Sequence, residues 1–113
     1  MFSACALSSA PELPATTLAE GCYRSMFEYC RSLISAPELP ATTLVPYCYY
    51  NMFNNCSKLN YIKMLATDVS ANNCLSNWVN YVSSTGTFVK TQSTNLPSGT
   101  SGIPTGWTVE FDF

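Results

Sequence analysis

Histidine is absent from this 113-residue chain. Without it, Ser-His-Asp and Cys-His catalysis cannot be built in their usual forms, and the common zinc sites with imidazole ligands are excluded. Charge is scarce too, because Asp, Glu, Lys and Arg make up 11% of the residues, against about 25% in an average protein. Neutral polar side chains must therefore form most of the surface, which suits an extracellular or cell-surface protein.

Three further features are missing, and each excludes a class of partner. The five basic residues are spread thinly, so there is no basic stripe to neutralise the phosphates of a nucleic acid. No apolar run approaches the roughly 20 residues of a membrane span, and no signal peptide is visible. No glycine-rich phosphate loop is present, and no cofactor is expected.

An internal repeat is the main positive signal. The decapeptide at 9–18 recurs unchanged at 35–44, so the sequence numbers of equivalent positions differ by 26 (35 − 9). The same offset relates Leu7, Leu33 and Leu59, and it relates Cys22, Cys48 and Cys74. A period in the twenties with leucine at fixed places is typical of a leucine-rich repeat, whose units must stack to bury their apolar faces.

Each unit divides into three parts. Residues 33–39 predict a short extended segment, because Pro37 and Pro40 prevent a long helix. Residues 41–44 turn a corner, and the apolar positions within 48–56 have a spacing that predicts a short helix. The sequence therefore predicts an α/β solenoid, a right-handed leucine-rich-repeat coil of strand, corner and short helix. Residues 1–82 would hold about three units, the first incomplete, and 83–113 a C-terminal β cap.

The C-terminal segment departs from the pattern after Tyr81. Residues 87–90 predict a strand, and 91–106 a loop rich in Ser, Thr, Gly and Pro. Residues 107–113 alternate apolar and polar side chains, which predicts a half-buried strand whose Trp107, Val109 and Phe111 cover the end of the stack. An aromatic binding strip and an edge strand used for self-association are the alternatives.

The repeated pattern also resembles a known family. Leu44, Cys48-Tyr49, Met52-Phe53, Cys56, Leu59 and Ile62 are spaced like the BspA-like, or Treponema pallidum-type, leucine-rich repeat. The resemblance covers about residues 1–82, although the unit is longer than usual, with an extra residue near Pro37-Glu38. Family members are surface or secreted proteins, many from bacteria, and resemble adhesins. The resemblance implies an interaction module and brings no catalytic residues.

The six cysteines have three interpretations. Two columns of buried thiols are expected, one of Cys5, Cys30 and Cys56 and the other of Cys22, Cys48 and Cys74. Disulfides between equivalent cysteines of neighbouring units need an unusually tight stack. A zinc site is the third alternative, although close Cys-x-x-Cys pairs are lacking.

Acidic residues offer little chemistry. Glu12 and Glu38 occupy equivalent places and could mimic a paired-carboxylate site, or with Asp68 a weak Ca²⁺ site. Duplication of the whole decapeptide explains their recurrence more simply. The sequence therefore predicts no catalytic, cofactor-binding or metal-binding residues, and no enzyme.

Tyrosine and asparagine crowd the predicted helical side, where the units differ from one another. Such differences are typical of unconstrained surface, but tyrosine also offers a large contact area with a polar tip. The predicted binding residues are Tyr29, Tyr47, Tyr50, Asn54, Asn55 and Tyr81. Tyr23 and Tyr49 follow the repeated cysteine and are predicted to be structural.

Two functions compete at this point. The first is a protein- or glycan-binding adhesion module of a secreted or cell-surface bacterial protein, with this chain a fragment of a longer repeat protein. The second is a structural, self-assembling terminal module of a cell-surface or phage fibre. In that case Met1, Phe2 and Leu7 would form an open N-terminal edge that contacts another copy.

Overall fold

The computed structural model describes residues 18–92 and 94–112. Three short strands, β1 (Tyr61–Met64), β2 (Thr87–Lys90) and β3 (Thr108–Phe111), form a parallel sheet in the order β1-β2-β3. Isolated parallel bridges from Ser35 to Tyr61 and from Leu39 to Met64 extend this pairing back to the preceding unit. Successive units therefore lie side by side and in the same direction.

Three rows of consecutive turns join the same units away from the sheet. We call residues 20–29, 46–55 and 72–81 the first, second and third turn rows, and they occupy equivalent places in successive units. Along a row, the hydrogen-bond acceptors of successive backbone N–H groups alternate between the same row and the next one. In the second row, the N–H of Met52 donates to the Tyr49 carbonyl three residues back, whereas the N–H of Phe53 donates across to Trp78 in the third row.

The predicted short helix in each unit is wrong, and with it the α/β fold class. Within 18–92 and 94–112 the structure contains no helix, and the residues 48–56 that the spacing assigned to one lie in and beside the second turn row. An α-helix joins every N–H to the carbonyl four residues back. In the first two turn rows, N–H groups that bond three residues back alternate with N–H groups that donate to the next row.

Backbone conformation explains the difference. Every fourth residue of a turn row has a positive φ, which an α-helix cannot contain. These residues are Gly21, Ser25, Tyr29, Tyr47, Asn51, Asn55, Asn73, Asn77 and Tyr81. Asparagine and glycine tolerate the left-handed region better than other residues, and they hold five of the nine places. The rows are thus chains of tight turns, tied together by hydrogen bonds between units.

Substitutions at Asn51 distinguish a turn row from a helix by the sign of a stability change. Asn51 has a φ of 53°, so a glycine there should leave the protein about 1 kcal/mol more stable than an alanine does. In a helix the order would reverse, because alanine is favoured over glycine by about 1 kcal/mol. Urea denaturation of Asn51→Gly and Asn51→Ala measures the difference.

Asn80 provides the matched control for this pair. It lies in the third turn row, is also an asparagine, and is not among the residues with a positive φ. Asn80→Ala should therefore be at least as stable as Asn80→Gly. The same order at both positions, with alanine better, would contradict the turn-row conformation.

The sheet side contains one change of register. Ser35 pairs with Tyr61 at a separation of 26, but Leu39 pairs with Met64 at a separation of 25. One more residue therefore lies between the two bridges in the earlier unit, at the buried Pro37 and the exposed Glu38. This is where the sequence placed the extra residue of the repeat. Proline cannot donate to a ladder, and it is tolerated at such an irregularity.

The core lies between the sheet and the turn rows, and side chains at equivalent places stack in columns. Leu33 and Leu59 are both fully buried in it, while the third predicted member, Leu7, lies outside the described residues. Phe27 and Phe53 stack with ring centroids 5.7 Å apart and planes within 3°. The predicted interior column is thus correct for the two described leucines.

The C-terminal segment continues the stack. β2 pairs with β1 at the offset of the repeat, Tyr61 with Thr87, so the register of the repeat extends into it. β3 follows at a shorter offset, because Thr87 pairs with Thr108. Both strands lie within the predicted segments, but all four residues of β3 are exposed, so the prediction of a half-buried strand is wrong there. The division into 1–82 and 83–113 remains a prediction.

The predicted cover is correct for one of its three residues. Trp107 is buried and its Nε1 donates to the Ser83 carbonyl at 2.8 Å. Val109 and Phe111 are 38% and 46% exposed on β3, the last strand of the described sheet. The side chains of Val109 and Phe111 lie at the end of the stack and remain partly accessible to solvent.

Candidate functional site

The surface of the turn rows carries a compact group of aromatic and polar side chains. The guanidinium carbon of Arg24 lies 4.8 Å from the ring centroid of Tyr50 and 5.6 Å from that of Tyr47. The two tyrosine rings lie 5.4 Å apart at 58°. Asn73 Nδ2 donates to the Tyr47 hydroxyl at 3.1 Å. We call Arg24, Tyr47, Tyr50 and Asn73 the aromatic cluster.

The stacking of units assembles this cluster. Arg24 and Tyr50 occupy equivalent positions in neighbouring units, and so do Tyr47 and Asn73. Backbone hydrogen bonds hold these pairs side by side, since the Ser25 N–H donates to the Tyr50 carbonyl and the Tyr47 N–H to the Asn72 carbonyl. Three turn rows thus contribute to one surface.

The electrostatics of the cluster favour a fixed arrangement with polar edges. A guanidinium over an aromatic face is attracted by the ring quadrupole, worth about 0.5–1 kcal/mol at exposed sites. Arg24 is exposed, whereas Tyr47 and Tyr50 are half-buried. Ser76 Oγ donates to Asn73 Oδ1 at 2.9 Å and steadies the amide. Ring faces, a positive charge and an amide are thus presented together.

A shallow groove adjoins the cluster through Asn73. Its volume is about 200 Å³, and it lies between the third turn row and the C-terminal segment. Its lining residues are Val69, Ala71, Asn73, Cys74, Leu75, Ser76, Asn95, Leu96, Pro97 and Ser101. The groove is smaller than the about 300–1,000 Å³ of pockets for drug-sized ligands.

Two of the six predicted binding residues, Tyr47 and Tyr50, belong to the cluster. The other four lie at the far ends of the turn rows. Asn54 Nδ2 donates to Glu28 at 3.0 Å, and Asn55 Nδ2 to Asn54 at 3.3 Å. The ring of Tyr29 lies 5.6 Å below the guanidinium of Arg31.

Three of these far-end residues hold positions of positive φ, which explain the asparagine at 55 but not the tyrosines at 29 and 81. Tyr29, Asn55 and Tyr81 hold the last positive-φ place of their rows, with φ between 60° and 63°. Tyr81 is 70% exposed. The six predicted residues therefore fall into two groups.

Sequence reasoning missed Arg24 and Asn73. The signal was available in the repeat itself, because equivalent residues of stacked units become neighbours. Tyr50 lies 26 positions after Arg24, and Asn73 lies 26 positions after Tyr47. Tyr23 and Tyr49 were correctly interpreted as structural: their rings stack at 6.1 Å, and Tyr49 is buried.

Neither of the two predicted columns of buried thiols is fully confirmed. Cys48, Cys56 and Cys74 are buried free thiols, as predicted. Cys22 is free but exposed, and Cys30 is disulfide-bonded. The prediction of buried thiols is therefore wrong for these two.

Burial makes the interior thiols poor nucleophiles. It raises the pKa of Cys48 to about 11 and that of Cys56 to about 12. Cys56 Sγ donates to the Phe27 carbonyl at 3.0 Å, which satisfies its proton within the core. Near neutral pH these groups are neutral and unreactive, because the thiolate is the reactive form.

Three acidic side chains have partners on the surface, and two of them share one lysine. Lys63 Nζ lies 3.6 Å from Glu38 and 3.4 Å from Asp112. Asp68 accepts hydrogen bonds from the backbone and hydroxyl of Ser70, which hold the pKa of its carboxyl below the usual value. In the described part of the chain, no three His, Cys, Asp or Glu side chains come together as metal ligands. Glu12 lies outside that part.

Comparison with known proteins gives no further guide. No family model, no curated protein and no solved structure matches this chain. In the part of the chain that the structure covers, no helix is long and apolar enough to cross a membrane. The support for the fold and for the candidate site therefore comes from the repeat and from the contacts described above.

Proposed function

We propose that this chain is a protein- or glycan-binding adhesion module of a secreted or cell-surface bacterial protein, without catalytic activity. The observation that carries the proposal is the aromatic cluster, in which Arg24 contacts both Tyr47 and Tyr50. Tyrosine and arginine are enriched at binding surfaces, where rigid rings give large contact area at low entropic cost. We also propose that these repeats are related to the BspA-like leucine-rich repeats.

The groove beside the cluster supports a ligand with hydroxyl or amide groups. Its polar lining comes from Asn73, Ser76, Asn95 and Ser101, all uncharged. The tyrosine faces next to it suit the apolar side of a sugar ring or of a peptide side chain. A ligand that spans both would place a ring or side chain on the tyrosines and a small polar end group in the groove.

Alanine substitutions in the cluster test the proposal. Tyr47→Ala and Tyr50→Ala should each weaken binding at least tenfold, equivalent to about 1.4 kcal/mol. The purified chain is applied to a printed oligosaccharide array and to a parallel array of extracellular-matrix proteins. Wild-type binding on one array and not on the other separates the two ligand classes.

Tyr61→Ala is the matched control. Tyr61 is a tyrosine on β1 that is 37% exposed and lies in the sheet rather than the turn rows, so its loss should leave binding within twofold. Unchanged binding by both cluster variants would remove the aromatic cluster from the function. Equal loss from all three variants would point to a general effect on folding.

Structural self-assembly is the second candidate, and β3 favours it. This strand lies at the edge of the described sheet and leaves Val109 38% exposed. An exposed edge strand can pair with a strand of another copy. The N-terminal contact expected from the sequence lies outside the described residues. Sedimentation velocity at rising protein concentration separates the candidates, because a persistent monomer contradicts self-assembly.

A further inference from the structure

Tyr81 is a predicted binding residue that lies outside the aromatic cluster. It is 70% exposed and has a φ of 60°, a left-handed conformation that tyrosine adopts less readily than asparagine or glycine. At the equivalent places, Tyr29 lies under a guanidinium and Asn55 donates to Asn54. In the described part of the chain, the Tyr81 ring makes no ring-stacking and no cation–π contact. Neither packing nor backbone conformation therefore accounts for a tyrosine here.

A groove lies beside this ring, between the end of the third turn row and the C-terminal segment. Thr87 lies 26 positions after its strand partner Tyr61, but Thr108 lies only 21 positions after its partner Thr87. Fewer residues are thus available to cover the third turn row. The segment is tied to the middle of the row, where Trp78 Nε1 donates to the Gly102 carbonyl at 2.9 Å. Beyond that contact a groove of about 170 Å³ remains.

The lining of this groove combines apolar surface with hydroxyl groups, and its described residues carry no charge. Val82 is half-buried and Pro104 is buried, and both supply apolar surface. Ser84, Thr100 and Thr105 are exposed, and their hydroxyls can both donate and accept hydrogen bonds. Among the described residues, the hydroxyls of Ser84 and Thr105 have no hydrogen-bond partner. They are therefore open to a ligand.

A sugar ring has the chemistry that matches this lining. A pyranose presents C–H groups on one face, which pack on an aromatic ring, and hydroxyls at its edge, which exchange hydrogen bonds with serine and threonine. An acidic sugar would find no counter-charge among the described lining residues. A peptide is usually held by a strand edge or by a groove with several aromatic rings. Here no residue of the described strands lines the groove, and Tyr81 is its single aromatic residue.

We propose that the groove beside Tyr81 binds a neutral sugar unit, at a site separate from the aromatic cluster. The Tyr81 ring packs on the apolar face of the sugar, while Ser84 and Thr105 exchange hydrogen bonds with its hydroxyls. Residues in strained backbone conformations cluster at binding sites, which accounts for an exposed tyrosine at a positive φ. Asn73 and Tyr81 lie at opposite ends of the third turn row, so each site can be tested without the other.

Amide chemical shifts of the isotope-labelled full chain test this site directly. Lactose, maltose and cellobiose are titrated separately, and N-acetylneuraminic acid and a proline-rich peptide serve as comparison ligands. At least one of the three neutral disaccharides should produce saturable shifts of the amides of Tyr81, Ser84 and Thr105. The comparison ligands should leave these amides unchanged.

Four variants identify the contacts. Tyr81→Ala should weaken binding of the disaccharide about tenfold, whereas Tyr81→Phe should keep most of the affinity because it keeps the ring. Thr105→Val removes one hydroxyl with little change of shape, and it should also weaken binding. Tyr29→Ala is the matched control, because Tyr29 holds the equivalent positive-φ place in the first row, and it should leave binding within about twofold. The spectrum of each variant shows whether it is folded.

The outcomes separate this site from the aromatic cluster. Saturable shifts at the groove that persist in Tyr47→Ala would support an independent sugar site. Shifts confined to Tyr47 and Tyr50 would support the aromatic cluster and overturn the groove. The proposal is also overturned if no disaccharide shifts the groove amides, if only the peptide does so, or if Tyr81→Ala binds as tightly as the wild type.

Discussion

Replacing Trp78 with alanine should lower the free energy of unfolding by about 3–5 kcal/mol, among the largest effects of any single truncation in this chain. Trp78 is fully buried and occupies the place of Met26 and Met52 in the preceding units. Its ring contacts three other aromatic rings, with centroids 5.9–6.0 Å away, those of Tyr49, Phe53 and Phe88.

A buried hydrogen bond adds to this loss. Trp78 Nε1 donates to the Gly102 carbonyl at 2.9 Å, so truncation leaves that carbonyl without this donor. It also weakens the attachment of the third turn row to the C-terminal segment, which keeps the bonds from the Val79 N–H to the Thr100 carbonyl and from the Asn77 N–H to the Ser101 hydroxyl. Truncation therefore removes core packing and this tie together.

Urea denaturation followed by tryptophan and tyrosine fluorescence gives the free energy of unfolding. Tyr81→Ala is the control, because Tyr81 is three residues away in the same row but 70% exposed, and its change should stay within about 0.5 kcal/mol. A loss below about 1 kcal/mol for Trp78→Ala would contradict the described packing.

The repeat made part of this architecture predictable. Leu33 and Leu59 lie in the core because equivalent apolar residues of stacked units must bury one another. The alternation of 107–111 likewise indicated β3, and the β-rich run of 87–90 indicated β2. These inferences succeed because they depend only on the period of the repeat and on local side-chain character.

The turn rows were mistaken for helices because two periods are close. Apolar residues at 48, 49, 52, 53 and 56 fit a helical period of 3.6 over so short a stretch, but they fit a period of four better. The asparagines at 51, 55, 73 and 77 repeat at the same interval of four and mark the positive-φ positions. Hydrogen bonds between units then stabilise a conformation that an isolated unit could not hold.

The aromatic cluster was only half predictable. Tyr47 and Tyr50 were chosen for their side-chain chemistry, which is visible in the sequence. Arg24 required the further step of treating equivalent residues of successive units as spatial neighbours. The groove beside Asn73 could not be foreseen, because residues 95–101 carry no periodic signal and their contact with the third row is a tertiary event.

The second large effect is expected at Gly86, which lies directly before β2. A Cβ at this position would lie 2.6 Å from the Asn60 carbonyl oxygen and 2.6 Å from the Trp107 ring. Neither neighbour can move easily. The Asn60 carbonyl accepts the Thr87 N–H at 2.9 Å, and the Trp107 Nε1 is fixed on Ser83.

Gly86→Ala should therefore destabilise the protein by about 2 kcal/mol. Overpacking costs about 1–3 kcal/mol, and the reduced entropy of the unfolded chain offsets only about 0.4–1 kcal/mol of it. Thermal and urea denaturation measure the change, and Thr85→Ala at the exposed neighbouring position should stay within about 0.5 kcal/mol.

A double substitution shows which contact causes the loss at Gly86. If the ring of Trp107 is the main obstacle, Gly86→Ala should cost less in a Trp107→Ala background, giving a coupling energy of about 0.5–3 kcal/mol. If the Asn60 carbonyl dominates, the two losses should add. Because a side chain at position 86 would meet both Asn60 and the covering tryptophan, an unchanged stability in Gly86→Ala would mean that Trp107 does not pack against the end of the stack as described.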